Sequence, residues 1–396
     1  MAISRHGTGA TNAAKALASQ VHPVFMLPPL ASSLFGAALA GDISFGPAFV
    51  HVLAIFFAVY TAHVKDGLVD FYVRGEDDDH PMTKRGCVLG LVGAAVGFLC
   101  CLGYLWTAVG IGAAVVTLPT WVIGFLHAPQ LDMNPVTATV GYPVGIALAI
   151  AGGYYVQTGA LSPEPLAFAS VFLVLLTGVK IIDDAKDYDY DASIDKRTVA
   201  VVLGPRRARR FAHSLFWAGL IAVLLLTVDG LFPPFAVVAA LAFGLVALVT
   251  RRAGPKLATM LLVRGTYVFL ALLVLAVWFR PLAGLSLPDI GVLGGYTYLA
   301  TEVLFGAIAL ALLLRANAVR RAAVTIAAIY PVAYLWDWYT LEVGVFAIPL
   351  RTGIELFGIP LEEHLFMVVI PAFVIGVHEM LGQVRDDETG RAATDD

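Results

Sequence analysis

Two Asp-rich segments hold the residues of this sequence best suited to chemistry. The first reads Lys65-Asp66-Gly67-Leu68-Val69-Asp70-Phe71-Tyr72-Val73-Arg74-Gly75-Glu76-Asp77-Asp78-Asp79-His80. The second runs from Lys180 through Asp183, Asp184, Lys186, Asp187, Asp189, Asp191 and Asp195 to Lys196, Arg197 and Thr198. Asp66 and Asp70 are four apart and Asp77 a further seven on, so a helix continued through them carries all three on one face. Asp184, Asp187 and Asp191 follow i, i+3, i+7 and make a second stripe. Two facing carboxylate stripes repel unless divalent cations lie between them. Mg²⁺ suits the place, because it takes a few carboxylates together with water and phosphate oxygens. Arg74, Lys186, Lys196 and Arg197 stand nearby to take the remaining phosphate charge. A metal-bridged diphosphate is a good leaving group, and the allylic cation it leaves needs an apolar shelter from water. One acidic loop alone reads as a solvated turn; two, on one side and each with basic residues, argue for a site. Asp78, Asp79 and Asp189 fit plain solvated charge, and Asp183 and Asp195 stay open between the two readings.

The elements that must carry these segments are membrane helices. Of 396 residues, 59% are hydrophobic and 14% charged, with a mean hydropathy of +0.83, far from a soluble domain at about 25% charged. The net charge of −4 gives no reason to expect a nucleic-acid partner. Cys87, Cys100 and Cys101 have no metal-ligand spacing, and no disulfide framework or zinc site is expected. Apolar runs able to cross a ~30 Å hydrocarbon core place helices near 22–40, 45–65, 87–108, 110–127, 138–158, 164–182, 209–228, 233–250 and 259–279. A second group follows near 294–314, 320–340 and 362–382. The first run ends in small residues like a signal peptide, but its Pro28–Pro29 and the many equivalent spans after it favour a first transmembrane helix.

Basic residues test the count. Lys65, Arg74, Lys84 and Arg85 follow helix two, and Lys186 to Arg210 follow helix six. Arg251, Arg252 and Lys256 follow helix eight, and Arg315, Arg320 and Arg321 follow helix ten. With both termini cytoplasmic, all of these fall on the cytoplasmic side of a multi-pass cell-membrane protein with about twelve helices. The expected organisation is an interfacial segment 1–20, a helical domain 21–280, a Pro- and Gly-rich linker 281–295, a second membrane domain 296–382 and a disordered acidic tail 383–396.

The segment Asp184-Ala-Lys-Asp187-Tyr-Asp-Tyr-Asp191-Ala-Ser-Ile-Asp195-Lys196-Arg197-Thr198, continuing to Leu203-Gly204, resembles the second Asp motif of the UbiA prenyltransferase superfamily. There a D-x-x-D-x-x-x-D run leads into a G-K-R-T…L-G tail. The resemblance spans about 20–280. It implies an all-α nine-helix bundle, both motifs on the cytoplasmic side, and Mg²⁺-dependent transfer from a prenyl diphosphate to a lipophilic acceptor. By this resemblance Asp66, Asp70, Asp184, Asp187 and Asp191 hold the metal. Three departures stand out: Lys65 replaces the usual Asn, Asp70 lies four rather than three residues after Asp66, and Asp195 replaces the usual Gly.

Ionisable residues also lie deep in the apolar context of the last hundred: Glu302, Asp337, Glu342, Glu355, Glu362 and Glu363. Intramembrane charge marks functional candidates. Pro360 followed by two acids also suits an ordinary helix N-terminus. The Pro360-Leu361-Glu362-Glu363 run and the Trp336-Asp337 pair resemble the small carotenoid (lycopene) cyclase domain of heterodimeric or tandem type. That likeness implies three helices and a protonating acid, Glu362 or Glu363. One copy stands where such cyclases use two, so a homodimer or a second cyclase-domain partner is expected. Together the two resemblances imply a carotenoid acceptor such as lycopene. The alternatives are quinone or ether-lipid prenylation, a cation transporter, whose acids should sit near mid-membrane rather than at helix ends, and an inactive carotenoid-binding scaffold.

Overall fold

The computed structural model describes residues 3–194, 196–282 and 290–392. The chain forms two compact units, Met1–Gly284 and Leu285–Asp396, dividing inside the Pro- and Gly-rich segment. Residues 283–289 of that segment, residues 1–2, Asp195 and the last four residues lie outside the described residues.

The first unit opens with a short amphipathic helix, α1 (Ala10–Ala18), before α2 (Pro23–Leu39), α3 (Phe45–Val69), α4 (Lys84–Ala108), α5 (Ile111–Leu126), α6 (Pro135–Thr158) and α7 (Pro163–Lys186). Two short helices, α8 (Tyr188–Ser193) and α9 (Val199–Leu203), precede α10 (Pro205–Val228), α11 (Ala236–Thr250) and α12 (Pro255–Trp278). Inside a bilayer only a helix pairs every backbone group within its own segment, and the sequence starts these helices deliberately. Pro23, Pro135, Pro163, Pro205 and Pro255 sit in first turns, where the missing N–H costs nothing. Asn134 Oδ1 accepts the Val136 N–H at 2.9 Å to cap α6.

The core is aromatic. Phe168 and Phe232 stack at 3.8 Å between centroids, with Phe35, Phe172, Phe216, Phe243 and Phe269 buried around them. Helices α2 and α6 meet backbone to backbone. A Cβ on Gly36 would lie 2.0 Å from the Ile150 carbonyl oxygen, and one on Gly153 would lie 2.1 Å from that of Ser33. Such small-residue contacts are how membrane helices approach without a hydrophobic drive.

The second unit holds α13 (Thr297–Arg315), α14 (Val319–Glu342) and α15 (Leu361–Ala392). A two-residue-per-strand hairpin, β1 (Glu355–Leu356) with β2 (Ile359–Pro360), enters α15. Phe357 (φ 51°) and Gly358 (φ 84°) make its turn, and positive φ at both central positions matches the right-handed strand twist. Pro360 therefore closes a strand rather than opening the helix, and Glu362 and Glu363 occupy the first turn of α15. The helix also runs to Ala392, into the segment from 383 expected to be disordered. No Pro interrupts it there, so a helix already nucleated continues.

Each of the twelve expected apolar runs coincides with a helix. Among the described residues nine helices are long and apolar enough to cross a membrane, and the α1–α2 pair, bent by 68°, supplies a tenth if it counts as one span. α11 is shorter, at 15 residues. The chain is a multi-pass membrane protein.

Candidate active site

The first Asp-rich segment does not extend α3 as a regular helix. After Val69 the chain widens into a π-helical turn, Asp70–Arg74, which Gly75 ends at φ 69°. Asp66 and Asp70 stay within this helical stretch. Asp77 follows the break and leaves the face it was expected to share, because Gly75 in the left-handed region redirects the chain. Arg74 gathers the acids around it: Asp70 at 3.2 Å, Asp132 at 2.7 Å and Glu76 at 3.7 Å.

The second segment breaks as well. α7 stops at Lys186, Asp187 is the cap residue at φ −102° and ψ 16°, and α8 restarts at Tyr188. The i, i+3, i+7 stripe is thus two pieces. Asp184 and Asp191 are buried at 5% and 3% exposure, while Asp187 is exposed and paired with Lys186 at 3.3 Å. Lys180 holds Asp184 at 2.6 Å, Lys186 holds Asp183 at 3.1 Å, and Lys196 approaches Asp191 at 3.7 Å. Burial pushes the Asp191 carboxyl up, against the pull of Lys196. Arg197 is exposed and has no ion pair among the described residues.

The two segments come together. Tyr190 of α8 reaches the Glu76 carboxylate, with Asp70 and Asp77 beside it. His127, at the end of α5, lies within electrostatic range of Asp66, Asp132, Lys180 and Lys196. Lys65, the departure from the family motif, is turned into the wall. Its ammonium donates to the Phe125 carbonyl and, at 3.1 Å, to Gln130 Oε1, and lies 4.0 Å from the Phe125 ring centroid. Asp79, read as solvated, instead clasps the chain start: it meets His6 at 3.0 Å and Arg5 at 3.5 Å, and its hydrogen bond with His6 holds its carboxyl below the usual range. Arg5 also lies 4.3 Å from the Phe71 ring. Asp78 and Asp189 are exposed, as solvated charges are.

Sequence reasoning missed Asp132 and gave Lys180 no role. The Lys180–Asp184 spacing of four was a usable signal; nothing local connected Asp132 to Arg74, 58 positions away by numbering (132 − 74). Among the described residues no three His, Cys, Asp or Glu side chains converge as a ready metal cage. The carboxylates point to lysines and arginine instead, because an uncompensated buried carboxylate is costly. The residues nevertheless fit a hard divalent ion. They are all oxygen donors, they outnumber the cations around them, and Asp184 Oδ2 and Asp132 Oδ1 are buried with no hydrogen-bond partner.

In the second unit Glu362 is fully buried. Its Oε1 accepts from the Thr352 N–H and hydroxyl, both at 2.6 Å, while Oε2 has no partner. Glu363 is hydrogen-bonded with Asp337 and lies near Glu302. Two carboxyl groups can share a hydrogen bond only when one carries the proton. His364 Nε2 donates to the Leu356 carbonyl at 2.8 Å, so Nδ1 is free to accept from the Tyr330 hydroxyl at 2.6 Å.

A family model, the UbiA prenyltransferase family, matches residues 27–259. The fold is similar to that of a structure described as digeranylgeranylglyceryl phosphate synthase, at 10% identity and a TM-score of 0.56, covering 68% of this chain and 98% of that one. It is also similar to a UbiA homologue from Archaeoglobus fulgidus bound to GPP and Mg²⁺, at 17% identity and a TM-score of 0.51, covering 68% and 99%. The same homologue bound to DMAPP and Mg²⁺ gives a TM-score of 0.52 at 17% identity, covering 67% and 99%. No curated protein matches the chain.

Proposed function

Because the chain belongs to the UbiA prenyltransferase family, we propose that its Asp-rich mouth transfers an isoprenoid group from a Mg²⁺-bound prenyl diphosphate to a carotenoid acceptor such as lycopene. The observation that carries this reading is the meeting of the two segments through Tyr190 and Glu76. Asp66, Asp70, Asp184, Asp187 and Asp191 would hold the metal, which when bound neutralises charge developing on the departing diphosphate. Binding requires Lys180 and Lys196 to release Asp184 and Asp191. Freed in this way, Lys196, together with Arg74, Lys186 and Arg197, would face the diphosphate oxygens. The apolar interior of the helical bundle would keep water from the allylic cation. Twelve crossings with both termini cytoplasmic accord with the basic loops.

A second activity, carotenoid cyclisation in the C-terminal unit, is favoured by the Asp337–Glu363 pair. An acid kept protonated by a neighbouring carboxyl group is the natural donor to a terminal alkene. Glu363 suits that role better than Glu362, whose Oε1 already accepts two hydrogen bonds from Thr352. Completion of such a unit would call for a homodimer or a second cyclase-domain partner.

The test is pigment and lipid profiling in a lycopene-producing host, with and without Asp187→Ala. New C45 or C50 carotenoids that vanish in the variant support the proposal. Unchanged lycopene, with the protein present in the membrane, rejects the carotenoid acceptor and turns the search to quinones and ether lipids.

A further inference from the structure

Helix α10 begins with an electrostatic problem. Arg206, Arg209 and Arg210 crowd its first turns, where the helix dipole is already positive, and no acid accompanies them. Arg251 adds a fourth cation from the end of α11. Arg209 is accounted for, since it donates to the Thr250 and Ala253 carbonyls and so caps α11. Arg206, Arg210 and Arg251 are exposed and have no acidic partner among the described residues.

These side chains line a recess of about 540 Å³ with His213 and Trp217. His213 is an independent sign that something belongs there. It is 9% exposed, it lines the recess, and neither of its ring nitrogens has a hydrogen-bond partner. A buried imidazole is normally satisfied, and the nearest charges around this one are the cations Arg209 and Arg251. The ligand that answers every one of these groups is an anion rich in acceptor oxygens.

The rest of the stripe says what the anion is attached to. Along α10, positions 206, 210, 213 and 217 fall at three- and four-residue steps on one face. The face continues through Ile221, Leu224 and Val228, at 53%, 38% and 87% exposure. It therefore reads guanidinium, then an interfacial Trp, then bare hydrocarbon. A free phosphate needs only the first part.

We propose that the Arg206–Arg210–His213–Arg251 recess binds the phosphate of an anionic membrane lipid, whose acyl chain lies along the lower face of α10. The recess shares no residue with the Asp-rich mouth. Basic recesses between membrane helices are a recognised mode of headgroup binding, and guanidinium groups match phosphate oxygens in pairs.

The purified, delipidated full-length chain in detergent is melted with dioleoylphosphatidylglycerol, with dioleoylphosphatidylcholine, or with inorganic phosphate. Phosphatidylglycerol should raise Tm by about 3–5 °C over phosphatidylcholine, and inorganic phosphate should not. The Arg206→Gln/Arg210→Gln double variant, changed only at exposed positions, should lose most of that increment. The Arg207→Gln/Arg252→Gln variant, which removes the same charge outside the recess, should keep it. Equal loss in both variants, or equal stabilisation by the two lipids, overturns the site. A full shift with inorganic phosphate alone, lost in the first variant, overturns the lipid and assigns the recess to a soluble anion.

Discussion

The two units bury carboxylates in opposite ways. At the mouth of the first, the buried acids have cations at hand: Lys180 for Asp184, Lys196 for Asp191, Arg74 for Asp70 and Asp132. In the second, Glu363 leans on another carboxyl group, Asp337, near Glu302. A carboxylate neutralised by an ammonium group can exchange it for another cation at modest cost, since the charge on the acid does not change. A carboxyl neutralised by its own proton cannot, but it can give that proton away. The first arrangement suits an ion and its phosphate; the second suits acid chemistry.

That contrast can be broken or sharpened by experiment. The largest effect should come at the mouth. Asp184→Asn removes the carboxylate with an unpartnered oxygen and should cut prenyl transfer by roughly 10²–10³-fold, measured with labelled prenyl diphosphate in membranes of matched protein content. A chelator should do the same to the unaltered protein, with Mg²⁺ restoring it, while any cyclisation continues. Transfer within threefold of normal in Asp184→Asn would erase the distinction between the units. Next, the proposed cyclisation should fall by about 10²-fold in Glu363→Gln while prenyl transfer is left alone; a parallel loss of both would mean the substitution acts on folding. The smallest effect belongs to Asp79→Asn, whose partners are exposed. It should change transfer by less than about twofold, and a larger loss would move Asp79 from clasp to catalysis.

Much of this was legible in the sequence because hydropathy and the placement of Lys and Arg are long-range averages, insensitive to single residues. The twelve helical runs and the two Asp-rich segments come from that level. The breaks do not. Nothing in the spacing of Asp66, Asp70 and Asp77 announces that Gly75 ends the helix, or that Asp187 divides α7 from α8; the periodic rule assumes an unbroken helix. Nor does it show that Pro205 starts α10 four residues before the expected 209, drawing Arg206 into a helix rather than a loop. Counter-ions were hidden for another reason. Arg74 meets Asp132 only because α3 and α5 pack together, and such pairs are set by tertiary contact. The hairpin before α15 escaped because Phe357-Gly358 lacks the Asn-Gly signature of such turns.

The contact between α2 and α6 has a mechanical consequence. With Gly36 seated against the Ile150 carbonyl and Gly153 against that of Ser33, no side chain separates the two backbones at these points to swing aside and let one slip along the other. Shear is blocked there. The pair acts as a fixed wall, and any widening of the mouth to admit a bulky substrate falls to the segments where the helices are already interrupted, after Val69 and at Asp187.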